Sequence, residues 1–381
     1  MTTLTDVPVS LRPTRIEVDL DAIRHNVARF REVAGADVCA VVKADGYGHG
    51  MVPIARAALD AGATWLAVAM VEDGVVLRRE GFDVSILLLS EPQLAAIPYL
   101  LDLELTPSVY RAPFIAALEA AGHARGRPVD VHVKVDTGMA RVGVPEYEWD
   151  DRLEQLAAAQ CLHVTGAMTH LARADEPGES GDSTTAEQLA NLDRFLSRAA
   201  ALGLHPPIVH AANSAGALLH PAARRTMVRP GIGIYGLSPS AEVDAADHGL
   251  RPALRLVSEV SLVKRLDEGS PVSYGQTWRA PNEGWLATVP IGYADGVPRA
   301  VSNRCEALLG GRRRPIVGRV TMDQLTVWCD DEPPQVGDPI VLLGEQGTER
   351  VRVEEWSAAA DTITYEIVTQ LTGRPPRHHI G

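Results

Sequence analysis

AVVKADGYGHG, residues 40–50, runs an apolar stretch into one lysine and follows it with three glycines, Gly46, Gly48 and Gly50. Ala40, Val41 and Val42 read as the end of a buried strand, and the glycines as a tight loop whose backbone is free to take unusual angles. Lys43 is thereby delivered to the C-terminal tip of a strand. Two readings of such a lysine stand side by side. It can snorkel to water on its methylene stem, or it can be held out of water so that its neutral amine attacks a carbonyl and forms a Schiff base. The segment alone does not choose.

Working outward, the same strand-then-helix texture recurs up to about residue 240. RIEVDL (15–20), VCAVVKAD (38–45), WLAVAM (65–70) and SILLLS (85–90) read as strands, followed by LELTPS (103–108), VDVHVKVDT (129–137), HVTGAMTHL (163–171), PIVHAAN (207–213) and MVRPGIGIYG (227–236). Between them lie amphipathic stretches such as LDAIRHNVARFREVA, with apolar residues at helical spacing. The apolar continuity of the strands suits a parallel sheet covered on both faces. The number of units is that of a (β/α)8 barrel, although an open doubly wound sheet produces the same local pattern. Polar residues gather at strand ends, where a barrel keeps its chemistry: Lys43, Lys134, Asp136, Arg141, His170, Asn213, Ser214, Arg229 and Tyr235.

Beyond about residue 250 the runs become short, alternating and broken by Gly, Pro and Asp, as in RPIVGRVTMDQLTVWC and DPIVLLGE. This texture predicts a mostly antiparallel β-domain interrupted by one helix, VEEWSAAADT (353–362). The expected division is a barrel over residues 14–245 and a β-domain over 246–381, to which residues 1–13 could add. A net charge of −13 argues against nucleic acid, which demands basic surface. The four scattered cysteines, Cys39, Cys161, Cys305 and Cys329, suggest neither a disulfide frame nor a metal site. No signal-peptide core and no membrane-length apolar run is present, so the expectation is a cytoplasmic protein with no membrane partner.

Nine segments together carry a resemblance. AVVKADGYGHG, VKVDTGMARVG, MTHLARAD, ANSA, RPGIGIYG, VSYGQTW, GYADG, GRVTMDQ and TITYEI follow in order across residues 40–367. They resemble the bacterial alanine racemases, dimeric pyridoxal 5'-phosphate enzymes with a (β/α)8 barrel and a C-terminal β-domain. The resemblance implies that Lys43 carries the cofactor through a Schiff base and serves as a base on one face of the substrate α-carbon. Tyr274 would be the base on the other face, reaching the site from the second subunit of a homodimer. Arg229 would face the pyridine nitrogen, where its charge disfavours protonation of the ring. His170 would lie between Arg229 and the partner's tyrosine, uncharged beside the guanidinium.

The same resemblance gives Arg141 the cofactor's phenolic oxygen and the substrate carboxylate, with Lys134 carbamylated to steady that arginine or else paired with an acid. Ser214, Gly231, Ile232, Tyr47 and Tyr365 would hold the phosphate, with Asn213 beside them. Helix starts and free backbone N–H groups favour anions there. Met322 would offer its backbone N–H to the substrate carboxylate. Asp175, Tyr293, Arg299, Arg319 and Ile363 would line a narrow entrance. The implied reaction is interconversion of L- and D-alanine, supplying D-alanine for peptidoglycan, with no metal. One departure is Gly46, where the family often has alanine, and it is expected only to loosen the turn. A broader-specificity racemase and an amino-acid decarboxylase of the same fold are the nearest rivals. A non-catalytic cofactor carrier or a protein sequestering cycloserine would belong to a different class.

Overall fold

The computed structural model describes residues 11–330 and 332–381, and the chain divides into two compact units. Residues 22–251 form one. The other combines residues 252–381 with the described N-terminal residues up to Asp21.

The first unit is an eight-stranded parallel sheet with helices between its strands. In chain order, with β1 reserved for an N-terminal strand described below, these are β2 (Asp37–Val41), β3 (Trp65–Val68), β4 (Ser85–Leu88), β5 (Thr106–Val109), β6 (Val129–Lys134), β7 (Leu162–Met168), β8 (Ile208–His210) and β9 (Met227–Val228). Ladders run without interruption from β8 through β7, β6, β5, β4, β3 and β2 to β9. Two further bonds draw the ends together: Thr226 N–H donates to Val209 C=O at 3.1 Å, and Arg229 N–H to Ala212 C=O at 2.9 Å. The sheet is thus a nearly closed barrel. Strands such as β4 bury every residue after the first, as double-sided coverage requires. The helix Leu20–Ala34 buries Ala22, Ile23, Asn26, Val27 and Phe30, one stripe at three- and four-residue steps.

One expected barrel strand lies elsewhere. Arg15–Asp19 (β1) pairs antiparallel with Leu254–Glu259 (β10) and parallel with Arg377–Ile380 in the second unit. Its side chains alternate half-buried and buried, with Ile16 and Val18 inward. That is the period of a strand with one wet face, not of a barrel strand. The division therefore falls near residues 21 and 251, where 14 and 245 were expected.

The second unit is a ten-stranded sheet, antiparallel apart from that one pair. Its Gly310-Gly311 hairpin joins Glu306–Leu309 to Arg312–Val317, both glycines at positive φ (63° and 73°), as a two-residue turn matched to strand twist demands. Two helices interrupt it, Val353–Ala360 and Thr364–Gln370; one was expected. A small hairpin pairs Val272 with Trp278 and packs on Leu286, Val317 and Trp328. Tyr274 is at its tip. Among the described residues no helix is long and apolar enough to cross a membrane.

Candidate active site

Lys43 follows β2 after a single residue, Val42, and opens a turn of unusual hand. Ala44, Asp45, Gly46, Tyr47 and Gly48 all have positive φ, between 51° and 78°. Each non-glycine residue in that region costs about 1–2 kcal/mol because Cβ crowds the next carbonyl. The loop is held by Gly46 N–H to Val42 C=O, Gly48 N–H to Ala44 C=O and Met51 N–H to the Asp45 carboxylate, at 2.9–3.0 Å. Gly46, at φ 59°, occupies a position that favours glycine. The substitution expected to loosen the turn instead relieves it.

The turn leaves Lys43 half-buried, 6.0 Å from the centre of the Tyr47 ring. Burial, reinforced by the Arg141 charge, lowers the Lys43 pKa. Lys134, the last residue of β6, is 4% exposed and donates to Leu89 C=O at 2.6 Å, a carbonyl rather than an acid. Burial first, then Arg229, Arg141 and Lys43, push its ammonium down to about 7. Arg141 itself is exposed, in the loop after β6 that Asp136 shapes by accepting the Gly138, Met139 and Ala140 N–H groups. The neighbouring cations thus disfavour the charged forms of Lys43 and Lys134, and a positive cluster of this kind favours a bound anion.

Arg229, just past β9, is 3% exposed. Its Nη1 donates to His210 Nδ1 (2.9 Å), and its Nη2 to Thr169 C=O (2.7 Å) and Ala211 C=O (3.1 Å), with His170 Nδ1 at 3.4 Å. None of these contacts uses Nε. Burial pushes the guanidinium down to about 10, so it remains a cation at neutral pH.

An arginine can only donate. His210 Nδ1 must accept, its Nε2–H then points at His132 Nδ1 2.8 Å away, and the chain of three is fixed in one tautomer. Burial and then Arg229 hold both rings neutral, His132 down to about 3 and His210 well below 6.5. His170 is likewise held neutral, by burial more than by Arg229. His132 and His210 were not anticipated. His132 sits inside β6, in V-H-V-K, and His210 closes the short strand β8, in I-V-H; Gly166 makes room for the first, since a Cβ there would lie 2.4 Å from its ring.

A third cluster gathers backbone donors. Gly231 and Gly233 both point their N–H groups at Ser214 Oγ, at 3.0 and 3.1 Å. Ile232 opens the following 3-10 turn, where the first amides lack an intrahelical partner. A Cβ on Gly231 would stand 2.4 Å from the Tyr47 hydroxyl. Converging backbone N–H groups and a hydroxyl are the kind of group that suits a small anion, and they carry more weight than the six-residue helix Ser214–Leu219. Asn213 spends its Oδ1 capping that helix through Gly216 N–H (2.8 Å). Burial raises the Tyr47 pKa, so its hydroxyl is a neutral donor.

The remaining candidates lie in the β-unit. Tyr274 is 72% exposed, in a turn with positive φ at Ser273, Gly275 and Gln276. Ser273 Oγ donates to Arg319 C=O at 2.7 Å, and the Arg319 guanidinium lies over Gly275, within 2.9 Å of where a Cβ would be. Met322 is 53% exposed and its C=O accepts Ala294 N–H (3.0 Å), while Tyr293 N–H donates to Thr321 C=O, so the Tyr293 and Met322 loops are zipped together. Tyr365 is half-buried on the Thr364–Gln370 helix; Ile363 and Arg299 are exposed. Asp175, alone of the five entrance candidates, belongs to the barrel. The structure thus gathers Lys43, Tyr47, Lys134, His170, Ser214, Arg229, Gly231 and Ile232 within the barrel, and presents Tyr274, Met322, Tyr293, Arg319 and Ile363 on the β-unit.

The alanine racemase N-terminal domain matches residues 18–239 and the alanine racemase C-terminal domain residues 253–379. The chain is 46% identical over 373 residues to the alanine racemase of Symbiobacterium thermophilum, covering 97% of this chain and 98% of that one. It is 42% identical to that of Frankia casuarinae, covering 95% of each. Among solved structures it resembles the alanine racemase of the D-cycloserine producer Streptomyces lavendulae (TM-score 0.92, 38% identity, 98% of each chain). It also resembles the Bacillus anthracis enzyme with bound L-Ala-P (TM-score 0.89, 38% identity, 98% and 96% covered). With both domains matched along nearly their whole length, the chain belongs to the alanine racemase family and is an enzyme that racemises alanine.

Proposed function

We propose that this racemase works with pyridoxal 5'-phosphate and two bases, Lys43 and a Tyr274 contributed by a second copy of the chain. The observation that carries the reading is the coincidence, inside one barrel, of a lysine with lowered pKa, a nest of backbone donors and a buried arginine with Nε to spare. These three fit the three ends of that cofactor: aldehyde, phosphate and ring nitrogen. Once bound, the cofactor supplies an electron sink that acidifies the substrate Cα–H.

The protein's part is then to bind, orient and move protons. Ser214, Gly231, Ile232 and Tyr47 hold the phosphate. Arg229 keeps a positive charge at the ring nitrogen and so opposes its protonation. His210 and His132 behind it fix the guanidinium plane. Arg141 orients the substrate carboxylate, joined by the Met322 backbone N–H of the second copy. For one enantiomer the neutral Lys43 amine takes the Cα proton and the Tyr274 hydroxyl returns one from the opposite face; for the other enantiomer the roles reverse.

Lys134 suits a carbamate. At neutral pH much of it is a free amine, the form that adds carbon dioxide and releases a proton, and the resulting anion would relieve the repulsion among Lys43, Arg141 and Arg229. The exposure of Tyr274, Met322, Tyr293 and Ile363 on the β-unit supports a homodimer that covers them. Supply of D-alanine for peptidoglycan in the cytoplasm is the biological role we attach to this reaction.

The test is spectroscopic. Purified enzyme should show a visible absorption band that borohydride reduction fixes onto Lys43. Lys43→Ala should lack the band while still binding inorganic phosphate. A colourless wild-type chain, unchanged by added pyridoxal phosphate, would remove the cofactor from the account.

A further inference from the structure

At the start of β7, on the barrel face opposite the strand ends just described, three side chains of metal-ligand type converge. Glu119 and His123 stand one helical turn apart on Ala112–Arg125, and Cys161 immediately precedes Leu162. Their ligand atoms all lie within 4.8 Å of one another, and Glu119 Oε1 is 3.0 Å from His123 Nε2. We infer that Glu119, His123 and Cys161 form a binding site for a transition cation of the zinc class, separate from the catalytic centre.

Two features show that the convergence is built. The Glu119 carboxylate accepts Gln160 N–H at 2.8 Å and Cys161 N–H at 3.0–3.1 Å, so it is oriented by the very segment that presents the thiol. Outer hydrogen bonds of this kind commonly aim metal ligands. Gly122, between the two helical ligands, lets the segment come close: a Cβ there would lie 3.0 Å from Cys161 Cβ and 3.2 Å from its carbonyl. Neither feature is needed for the Glu119–His123 contact.

The donor set selects the cation. A thiolate with an imidazole and one carboxylate suits zinc, whereas magnesium and calcium require oxygen shells. Zinc bond lengths of about 2.0–2.3 Å place neighbouring ligands about 3.3–3.8 Å apart, so a small rotamer adjustment closes the triad. The His123 side chain is 54% exposed, which leaves an entry path and a fourth position for water. Binding converts the Cys161 thiol to thiolate, and its proton leaves to solvent. The distance along β7 to Met168 is about 20 Å, so the cation would act as a clasp between helix and strand and take no part in catalysis.

Zinc chloride titrated calorimetrically into chelator-washed holoenzyme should show one site per chain. Cys161→Ser and His123→Ala should each weaken it at least about tenfold. His123→Ala should leave racemisation unchanged. A second readout uses the thiol: Cys161 is partly accessible while Cys39, Cys305 and Cys329 are buried. Iodoacetamide should therefore label Cys161 first, and zinc should slow that labelling in wild type but not in His123→Ala. No zinc uptake, uptake indifferent to both substitutions, or thiol protection by zinc that persists in His123→Ala would overturn the site.

Discussion

The two units hold their share of the chemistry in opposite ways. In the barrel, Arg229, Lys134 and Ser214 are 2–4% exposed and locked by hydrogen bonds, and burial disfavours the charged forms of Arg229 and Lys134. On the β-unit, Tyr274, Met322, Tyr293 and Ile363 are 42–72% exposed. The barrel tunes its groups by taking them out of water within one chain. In the proposed homodimer, the β-unit presents groups whose environment a second copy completes. Substitutions in the barrel should therefore cost both folding and activity, and those on the β-unit activity alone.

Lys43→Ala should have the largest effect, lowering racemase turnover about 10³-fold or more together with loss of the visible band. Tyr274→Phe should lower turnover about 10²–10⁴-fold. Its urea midpoint should correspond to a stability change within about 0.5 kcal/mol, as for an exposed site. Arg229→Gln sharpens the contrast. It removes donors from His210 Nδ1, Thr169 C=O and Ala211 C=O in a buried place, which should cost about 2–4 kcal/mol by urea unfolding. Equal stability losses in the Tyr274 and Arg229 variants would break the distinction between the units.

Acid should reach the barrel through its histidines. His132 and His210 have pKa values depressed in the folded state, so the unfolded chain binds more protons as pH falls below 6.5. Stability is intact above that value and declines below it, by up to about 1.4 kcal/mol per pH unit for each proton. Thermal unfolding between pH 6.5 and 4 should show this, with a shallower decline in His132→Phe. The smallest effect concerns the lysine turn. Gly46→Ala should cost about 1 kcal/mol, since φ is 59° there.

Much of the barrel was legible because its strands are buried on both sides and read as unbroken apolar runs. RIEVDL shows what that reading overlooked. Its strict alternation of Arg15, Glu17 and Asp19 with Ile16 and Val18 marks a strand with one wet face, and the structure places it in the antiparallel sheet. The strand-end rule picked Lys43, Lys134, His170 and Arg229 but passed over His132, which lies inside β6, and His210, which ends β8 although the run PIVHAAN carried the expected strand on to residue 213. The left-handed turn was half visible in its glycines; nothing in the order of Ala44, Asp45 and Tyr47 announces positive φ. The meeting of Glu119, His123 and Cys161 was invisible, because a helix and a distant strand start are brought together only by the barrel.

The most direct test of the two-base account is hydrogen exchange at Cα in deuterium oxide, followed separately from L- and D-alanine with the Tyr274→Phe holoenzyme. The account predicts that exchange continues from one enantiomer, served by Lys43, and stops from the other, with the visible band intact. Equal exchange from both enantiomers would contradict it.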